Sequence, residues 1–309
     1  MVCPNLPIDA KYDSEKQGKP FDASQYHLGN IVITHAVKEA RDRDVFQSKG
    51  RISAIEETAV VWNHENQFKY MKIAFFSDVH ANLPALKVVL KDIERENPDR
   101  VFCLGDMVGY HIWPEEVVRQ VRKLGVPTLM GNHEEGLQLN PEIGTNGAIT
   151  LSLISLETKN YLLELPRELN TSYELDGKKM NLWMVHGSPK AIDDYMTEDY
   201  PEQEVLSMMR ERNADILLCG HTHKPFHRVI QDGDKLRHVI NLGSVGKPKD
   251  GDLRAGYVLV DLYQLLSSKE PKAWQPDFRR LSYDLESSVQ ALRNSEFPDK
   301  YADALAQGK

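Results

Sequence analysis

Residues 72–96 read KIAFFSDVHANLPALKVVLKDIERE, and the change of rhythm inside them decides the fold. The apolar run Ile73–Phe76 has the length and composition of a buried strand, predicted over 72–77. It runs into Ser77-Asp78-Val79-His80, side chains that a core strand does not need. Asn82 then stands before Leu83 and Pro84, an N-cap followed by a first-turn proline. Leu86, Val89, Leu90 and Ile93 recur at helical spacing, which predicts a helix from Pro84 to Glu96. The stretch is a strand, a polar loop and a helix, with its chemistry at the strand's carboxyl end.

The same pattern returns along the chain. VFCL, with a strand at 101–104, runs into Gly105-Asp106 and precedes a helix opening at Pro114. VPTLM, a strand at 126–130, runs into Gly131-Asn132-His133-Glu134, and one helix is predicted over 147–164. Asp176-Gly177 makes a hairpin of 171–175 and 180–185, and LWMV within it runs into His186-Gly187. A helix near 201–212 leads to a strand at 216–219, where ILLC runs into Gly220-His221-Thr222-His223. Asp232-Gly233 marks a second hairpin, of 226–230 and 236–241, and a last core strand lies near 256–261. A strand-like piece at 278–281 and helices at 284–293 and 297–307 form a tail that packs on the core. Early βα units and later hairpins predict a mixed α/β sandwich.

Residues 1–70 are different in kind. The first 25 or so are rich in Pro and charge, Ile31–Ile33 and Ala59–Trp62 read as short strands, and KEARDRD (38–44) is a solvated charge run. This segment is an N-terminal extension of unknown role, and residues 71–309 form the main domain. The chain of 309 residues is 41% hydrophobic and 27% charged with a net charge of −8. That balance speaks against an extended nucleic-acid surface. Cys3, Cys103 and Cys219 are too few and too far apart for a disulfide framework. No apolar stretch reaches about 18 residues, and no secretory leader is legible, so no membrane partner and a cytoplasmic location are expected.

Sites in α/β sheets form beyond the carboxyl ends of strands. Five such ends would gather Asp, His and Asn in one crevice, and burying them together is costly without a partner. A pair of divalent cations removes that cost, and a carboxylate bridges two such ions about 3.5–4 Å apart. His27, His35, His64, His227 and His238 follow no strand into glycine and are read as structural, the last two on a hairpin surface.

Taken together, Asp78-x-His80, Gly105-Asp106, Gly131-Asn132-His133-Glu134, His186 and Gly220-His221-Thr222-His223 resemble the calcineurin-like metallophosphoesterases. SDVHANLPAL, LGDMVGY, HGSP, GHTHKP and NLGSVGKPKDGD look like the small bacterial phosphodiesterase-like branch. The resemblance covers about 71–290 and implies a four-layer α/β/β/α sandwich with two divalent metals, Mn, Fe, Zn or Ni. It implies that Asp78, His80 and His223 hold the first metal, that Asn132, His186 and His221 hold the second, and that Asp106 bridges them. A metal-bridging hydroxide would attack phosphorus in line, with His133 assisting the leaving group and Glu134 orienting His133.

The chain also departs from the family pattern. Glu134 stands where the family often has Asp, and Ala81 where it often has Gly. His111-Ile112-Trp113-Pro114 replaces a Gly-Pro-like turn, so His111 or Trp113 either lines the pocket or packs the loop. The protein-phosphatase branch has Asp-Arg where this chain has Gly109-Tyr110. An arginine fork suits a dianionic monoester, so its absence favours a small phosphodiester or nucleotide-like substrate. A phosphomonoesterase, a nuclease and a non-catalytic protein-binding scaffold of the same fold are the alternatives, and no oligomeric state is legible.

Overall fold

The computed structural model describes residues 71–138, 141–142 and 144–309. The strands read at 31–33 and 59–62, with His27, His35 and His64, lie outside the described residues.

Strand β1 (Lys72–Phe76) alternates its burial. Ile73 and Phe75 face one apolar core, while Ala74 and Phe76 face another. A strand buried on both faces must be apolar throughout, which explains the unbroken run in the sequence. It lies parallel to β2 (Arg100–Cys103) and antiparallel to β8 (Ala255–Asp261), which pairs with β9 (Asp277–Leu281). The first sheet is therefore ordered β2-β1-β8-β9.

The second sheet contains β3 (Glu168–Leu175), β4 (Lys178–Val185), β5 (Ile216–Cys219), β6 (Phe226–Asp232) and β7 (Lys235–Asn241), in the order β3-β4-β5-β7-β6. β4, β5 and β7 run parallel, and β3 and β6 flank them antiparallel. Leu182, Met184, Leu218 and Ile240 meet Ile73, Phe75 and Val258 between the sheets.

Helices close both outer faces. Helix α1 (Leu83–Glu96) buries Ala85, Leu86, Val89 and Ile93 against the first sheet. It is capped by Asn82, whose side-chain oxygen accepts from the Ala85 amide at 3.3 Å. α2 (Pro114–Leu124) adds Val117, Val118 and Val121 to the same layer. On the opposite face α6 (Glu202–Glu211) packs Val205, Leu206 and Met209 against Trp183 and Val185. The layers run helix, sheet, sheet, helix, which is the expected four-layer α/β/β/α sandwich.

Two expected elements differ. The run at 126–130 makes only one bridge, Thr128 beside Cys103. Pro127 has no N–H to extend a ladder, so its carbonyl accepts from Cys103 and the segment then turns away. The predicted helix over 147–164 is two helices, α4 (Asn146–Ser152) and α5 (Leu156–Leu163). Ser155 caps the second by accepting from Thr158 at 3.1 Å, and Glu115 of α2 accepts from the Ser155 amide at 2.9 Å. Capping by serine competes with helix continuation, and here it wins.

α3 (Asn132–Gly136) is a short turn after the third apolar run, and α7 (Leu262–Ser267) follows β8. The tail forms α8 (Leu285–Arg293) and α9 (Asp299–Gln307), packed through Val289, Leu292, Phe297 and Leu305 against Ile149. Among the described residues no helix is long and apolar enough to cross a membrane.

Candidate metal centre

The loops that follow β1 and β2 are tied together by backbone. The amides of Asp78, His80 and Ala81 donate to the carbonyls of Gly105, Asp106 and Met107 at 3.0, 2.9 and 2.7 Å. From the other side, Val245 and Gly246 donate to Ser77 and Asp78 at 3.0 and 2.9 Å. This double clamp holds conformations that L-residues avoid. Asp78, His80, Ala81 and Asp106 have φ of 55, 48, 54 and 51°, and in the loop after β5 His221 and His223 have φ of 64 and 61°. Such backbone costs about 1–2 kcal/mol per residue and persists where surrounding bonds over-determine it. Ala81 therefore takes the left-handed conformation despite its methyl group.

Four histidines are oriented alike. One ring nitrogen of each donates to a backbone carbonyl: His80 Nδ1 to Val108 (3.1 Å), His186 Nδ1 to Leu104 (2.7 Å), His223 Nδ1 to Lys247 (2.5 Å) and His221 Nε2 to Asp193 (3.0 Å). A carbonyl can only accept, so the proton of each neutral ring sits on that nitrogen. When such a ring is neutral its other nitrogen carries a lone pair, the arrangement of metal-ligating histidines.

Those lone pairs face other acceptors. His80 Nε2 lies 3.0 Å from His223 Nε2, and His223 Nε2 lies 3.2 Å from Asp78 Oδ1. Asp78 Oδ1 is buried without any hydrogen-bond partner. His186 Nε2 lies 3.3 Å from Asp106 Oδ2 and 3.2 Å from the side-chain oxygen of Asn132. A buried set of acceptors turned on one another lacks a positive charge. Asp78, His80, Asp106 and His223 form one compact group of donor atoms, and Asp106, His186 and His221 form another. Asp106 belongs to both. The residues fit divalent cations in their chemistry and in their unmet demand.

Electrostatics agree with that demand. Burial lowers His80 to about 3, so its ring is neutral. Burial opposes charge on Asp78, yet His223 and His80 hold its carboxyl well below the usual range. Burial also opposes a proton on His186, but the Asp106 carboxylate outweighs it and raises this group to about 10. The cluster draws a proton inward where a cation would serve.

Glu134 requires a correction. It was expected to orient His133, but both of its oxygens are occupied by backbone amides. Oε2 accepts from Asp106 and Gly131, each at 2.8 Å, and Oε1 accepts from Met107 at 2.8 Å and Val108 at 3.2 Å. Glu134 thus staples the loop after β2 to the start of α3, aiming Asp106 and Asn132 through the backbone. The extra methylene relative to Asp gives this reach. Glu134→Gln replaces one acceptor oxygen with a donor facing amides. It should destabilise the fold by roughly 2–5 kcal/mol, since each orphaned buried donor costs about 1–3 kcal/mol. Urea denaturation beside the wild type measures this, and an unchanged midpoint would refute the staple.

His133 is instead held by Asn146, which sequence reasoning missed. The Asn146 side-chain oxygen accepts from the Tyr110 amide at 2.8 Å, so its amide nitrogen faces His133 Nδ1 at 3.4 Å. The His133 proton is then on Nε2. Gly109 explains the packing: a Cβ there would fall 2.3 Å from His133 Nδ1. Gly131 is equally constrained, because a Cβ would meet Asp106 Oδ1 at 2.1 Å. Glu135, in the first turn of α3, pairs with Arg167.

The rim is aromatic. The Tyr110 ring lies 4.6 Å from His133, 4.7 Å from His80 and 5.6 Å from Tyr301 of α9. Across the centre, Tyr195 lies 4.4 Å from His221 and is 54% exposed. No motif flagged Tyr195 or Tyr301, because loop and tail positions carry no periodic signal. His111 stacks on Trp113 at 4.8 Å and lines a small crevice with Tyr110, Lys247 and Tyr301. The reading of His238 on a surface is also corrected. It is buried, bonded to His227 at 3.0 Å, and both rings meet Trp274 edge-on.

The model of the calcineurin-like phosphoesterase superfamily domain matches residues 71–264. The chain belongs to the calcineurin-like phosphoesterase superfamily. It is 30% identical over 254 residues to an uncharacterized protein of Methanocaldococcus jannaschii, covering 77% of this chain and 98% of the relative. A metallophosphoesterase from Sphaerobacter thermophilus superposes with a TM-score of 0.62 at 28% identity, over 78% of this chain and 100% of that one. A hypothetical protein from Pyrococcus horikoshii shares the fold, with a TM-score of 0.64 at 20% identity over 77% and 99% of the two chains. As a metallophosphoesterase the chain is a phosphoric ester hydrolase, and its buried Asp/His cluster is the place for divalent metal.

Proposed function

We propose that residues 71–309 form a dinuclear-metal-dependent phosphodiesterase for a small phosphodiester or nucleotide-like ester. Asp78, His80 and His223 serve one cation, Asn132, His186 and His221 the other, and Asp106 both. The supporting observation is that Asp106 is shared by two compact groups of donor atoms. Manganese is the test cation, since imidazole with carboxylate and amide oxygen accepts ions of intermediate hardness.

Divalent cations bound there would lower the pKa of water toward neutrality and neutralise charge on the phosphoryl oxygens. The chain's own residues arrange the rest. His133 offers its Nε2–H to the leaving oxygen, with Asn146 holding that tautomer. Donors aimed in advance at developing charge cost no reorganisation during reaction. Asp106 and His133 are held in fixed relation, because the His133 N–H donates to Asp106 Oδ1 at 2.9 Å.

The diester preference rests on the loop after β2. Gly109 packs under His133 and Tyr110 turns its ring to the centre, so the loop offers no guanidinium fork. A single negative charge on phosphorus demands less compensation than two. The test is Mn²⁺-loaded protein on bis(p-nitrophenyl) phosphate and p-nitrophenyl phosphate. The expected kcat/KM favours the diester by about tenfold or more, a barrier difference of about 1.4 kcal/mol. A monoester preference would overturn the diesterase reading. Metal bound without turnover of either ester would favour the scaffold, and cleavage of single-stranded DNA the nuclease.

A further inference from the structure

We propose that Tyr195 contacts the substrate and selects an aromatic group, aryl or nucleobase, on the ester arm that stays on phosphorus when the diester is cut. This rests on the phosphodiesterase reading and names the residue that recognises the retained arm.

The loop after β4 is fastened on both sides of Tyr195. The amides of Ser188 and Asp194 donate to the Ala191 carbonyl at 3.0 and 3.3 Å. The Asp194 carboxylate accepts from Ser188 Oγ and, at 2.9 Å, from the Tyr200 hydroxyl. The Asp193 carbonyl accepts from His221 Nε2 at 3.0 Å, and Met196 is buried in the same core as Trp183 and Val185. Residues 193, 194 and 196 are all committed, so Tyr195 is held at the centre while its ring takes no part in the fastening.

The ring lies against a metal-site histidine and faces solvent. Its centroid is 4.4 Å from that of His221, and Tyr195 is the one exposed aromatic side chain among the described residues. The other exposed large apolar side chains, Leu124, Leu153 and Leu156, belong to helices or their ends, away from the loops of the centre. A ring kept in water by a fastened loop gains from any flat apolar partner that displaces that water.

The arm is assigned by the two aromatic walls. Tyr110 stands with His80 and His133, its ring 4.7 and 4.6 Å from theirs. Tyr195 stands with His221, which lies 5.3 Å from His186. Asp106 Oδ2 faces a histidine of each set, His80 Nε2 at 3.6 Å and His186 Nε2 at 3.3 Å. A phosphodiester carries two organic arms. The leaving arm belongs beside His133, which serves its oxygen, and so beside Tyr110. The retained arm is left for the other set, where Tyr195 offers its ring. A monoester has no such arm. A tyrosine ring stacks on the π-face of an aryl group or of any base, and it does so at low conformational cost.

The test uses the full chain loaded with Mn²⁺ and two diesters with one leaving group, phenyl p-nitrophenyl phosphate and methyl p-nitrophenyl phosphate, so that only the retained arm differs. Calorimetry in parallel measures binding of phenyl phosphate and methyl phosphate, which carry the retained arm alone. In the wild type KM and Kd should each be about fivefold lower for the phenyl member of the pair. In Tyr195→Ala that preference should shrink to less than about twofold, with metal content and melting temperature unchanged, and Tyr195→Phe should keep it. A preference of undiminished size in Tyr195→Ala would overturn the proposal, as would its absence from the wild type. Loss of metal would also overturn it, since the ring would then be a support for His221. Turnover of both diesters without preference removes the aromatic subsite and leaves the phosphodiesterase reading standing. If the wild type cleaves neither diester while the calorimetric preference is present and vanishes in Tyr195→Ala, the subsite stands and the phosphodiesterase reading falls.

Discussion

Asp106→Asn should reduce metal-dependent hydrolysis of the aryl diester by roughly 10³-fold or more, the largest effect expected of any single change. The two groups of donor atoms share only this carboxylate, with His186 Nε2 at 3.3 Å and His80 Nε2 at 3.6 Å from Oδ2. The amide keeps the shape and removes the charge. Several kcal/mol of transition-state stabilisation depend on cations held in place, and about 1.4 kcal/mol is tenfold in rate. Oδ1 also accepts from the His133 amide at 2.9 Å, which an Asn oxygen can still do, so the backbone should hold and the melting temperature stay close to that of the wild type. Turnover and metal content by mass spectrometry are measured on the same preparation. Wild-type turnover in the variant would end the shared-carboxylate reading.

His133→Ala should lose roughly 10²–10³-fold in kcat while keeping its metal, because a preorganised donor to developing charge is worth that much. The ring stands among the metal-site residues without serving as a lone-pair partner in either group. Its Nδ1 faces Asn146 and its backbone faces Asp106. The loss should grow as the leaving group becomes more basic, since an alkoxide needs the hydrogen bond more than a nitrophenolate does. A loss independent of the leaving group would remove His133 from that role. Metal lost along with rate would make it a ligand.

The legibility of the centre differs residue by residue. Asp78, His80, Asp106, Asn132, His186, His221 and His223 were all readable because each follows an apolar run into a turn, a local signal. Their convergence follows from topology, since parallel strands in two facing sheets end on the same side. Glu134 was visible as a residue but not as a staple. Its role depends on the distance between two loops 28 positions apart, and no local pattern encodes that distance. Asn146 and Tyr195 had no signal of either kind. The surface placement of His238 failed for the same reason, because Trp274 arrives from a distant segment to cover it.

The sequence by itself determined the strands, the helices and the identity of the chemical groups. Burial demands an apolar run, a cap demands a side-chain acceptor, and both are written in consecutive residues. Only the tertiary structure decided who answers whom. Lone pairs meet lone pairs across the centre, and a glutamate closes four amides, because such relations exist only between segments that folding brings together.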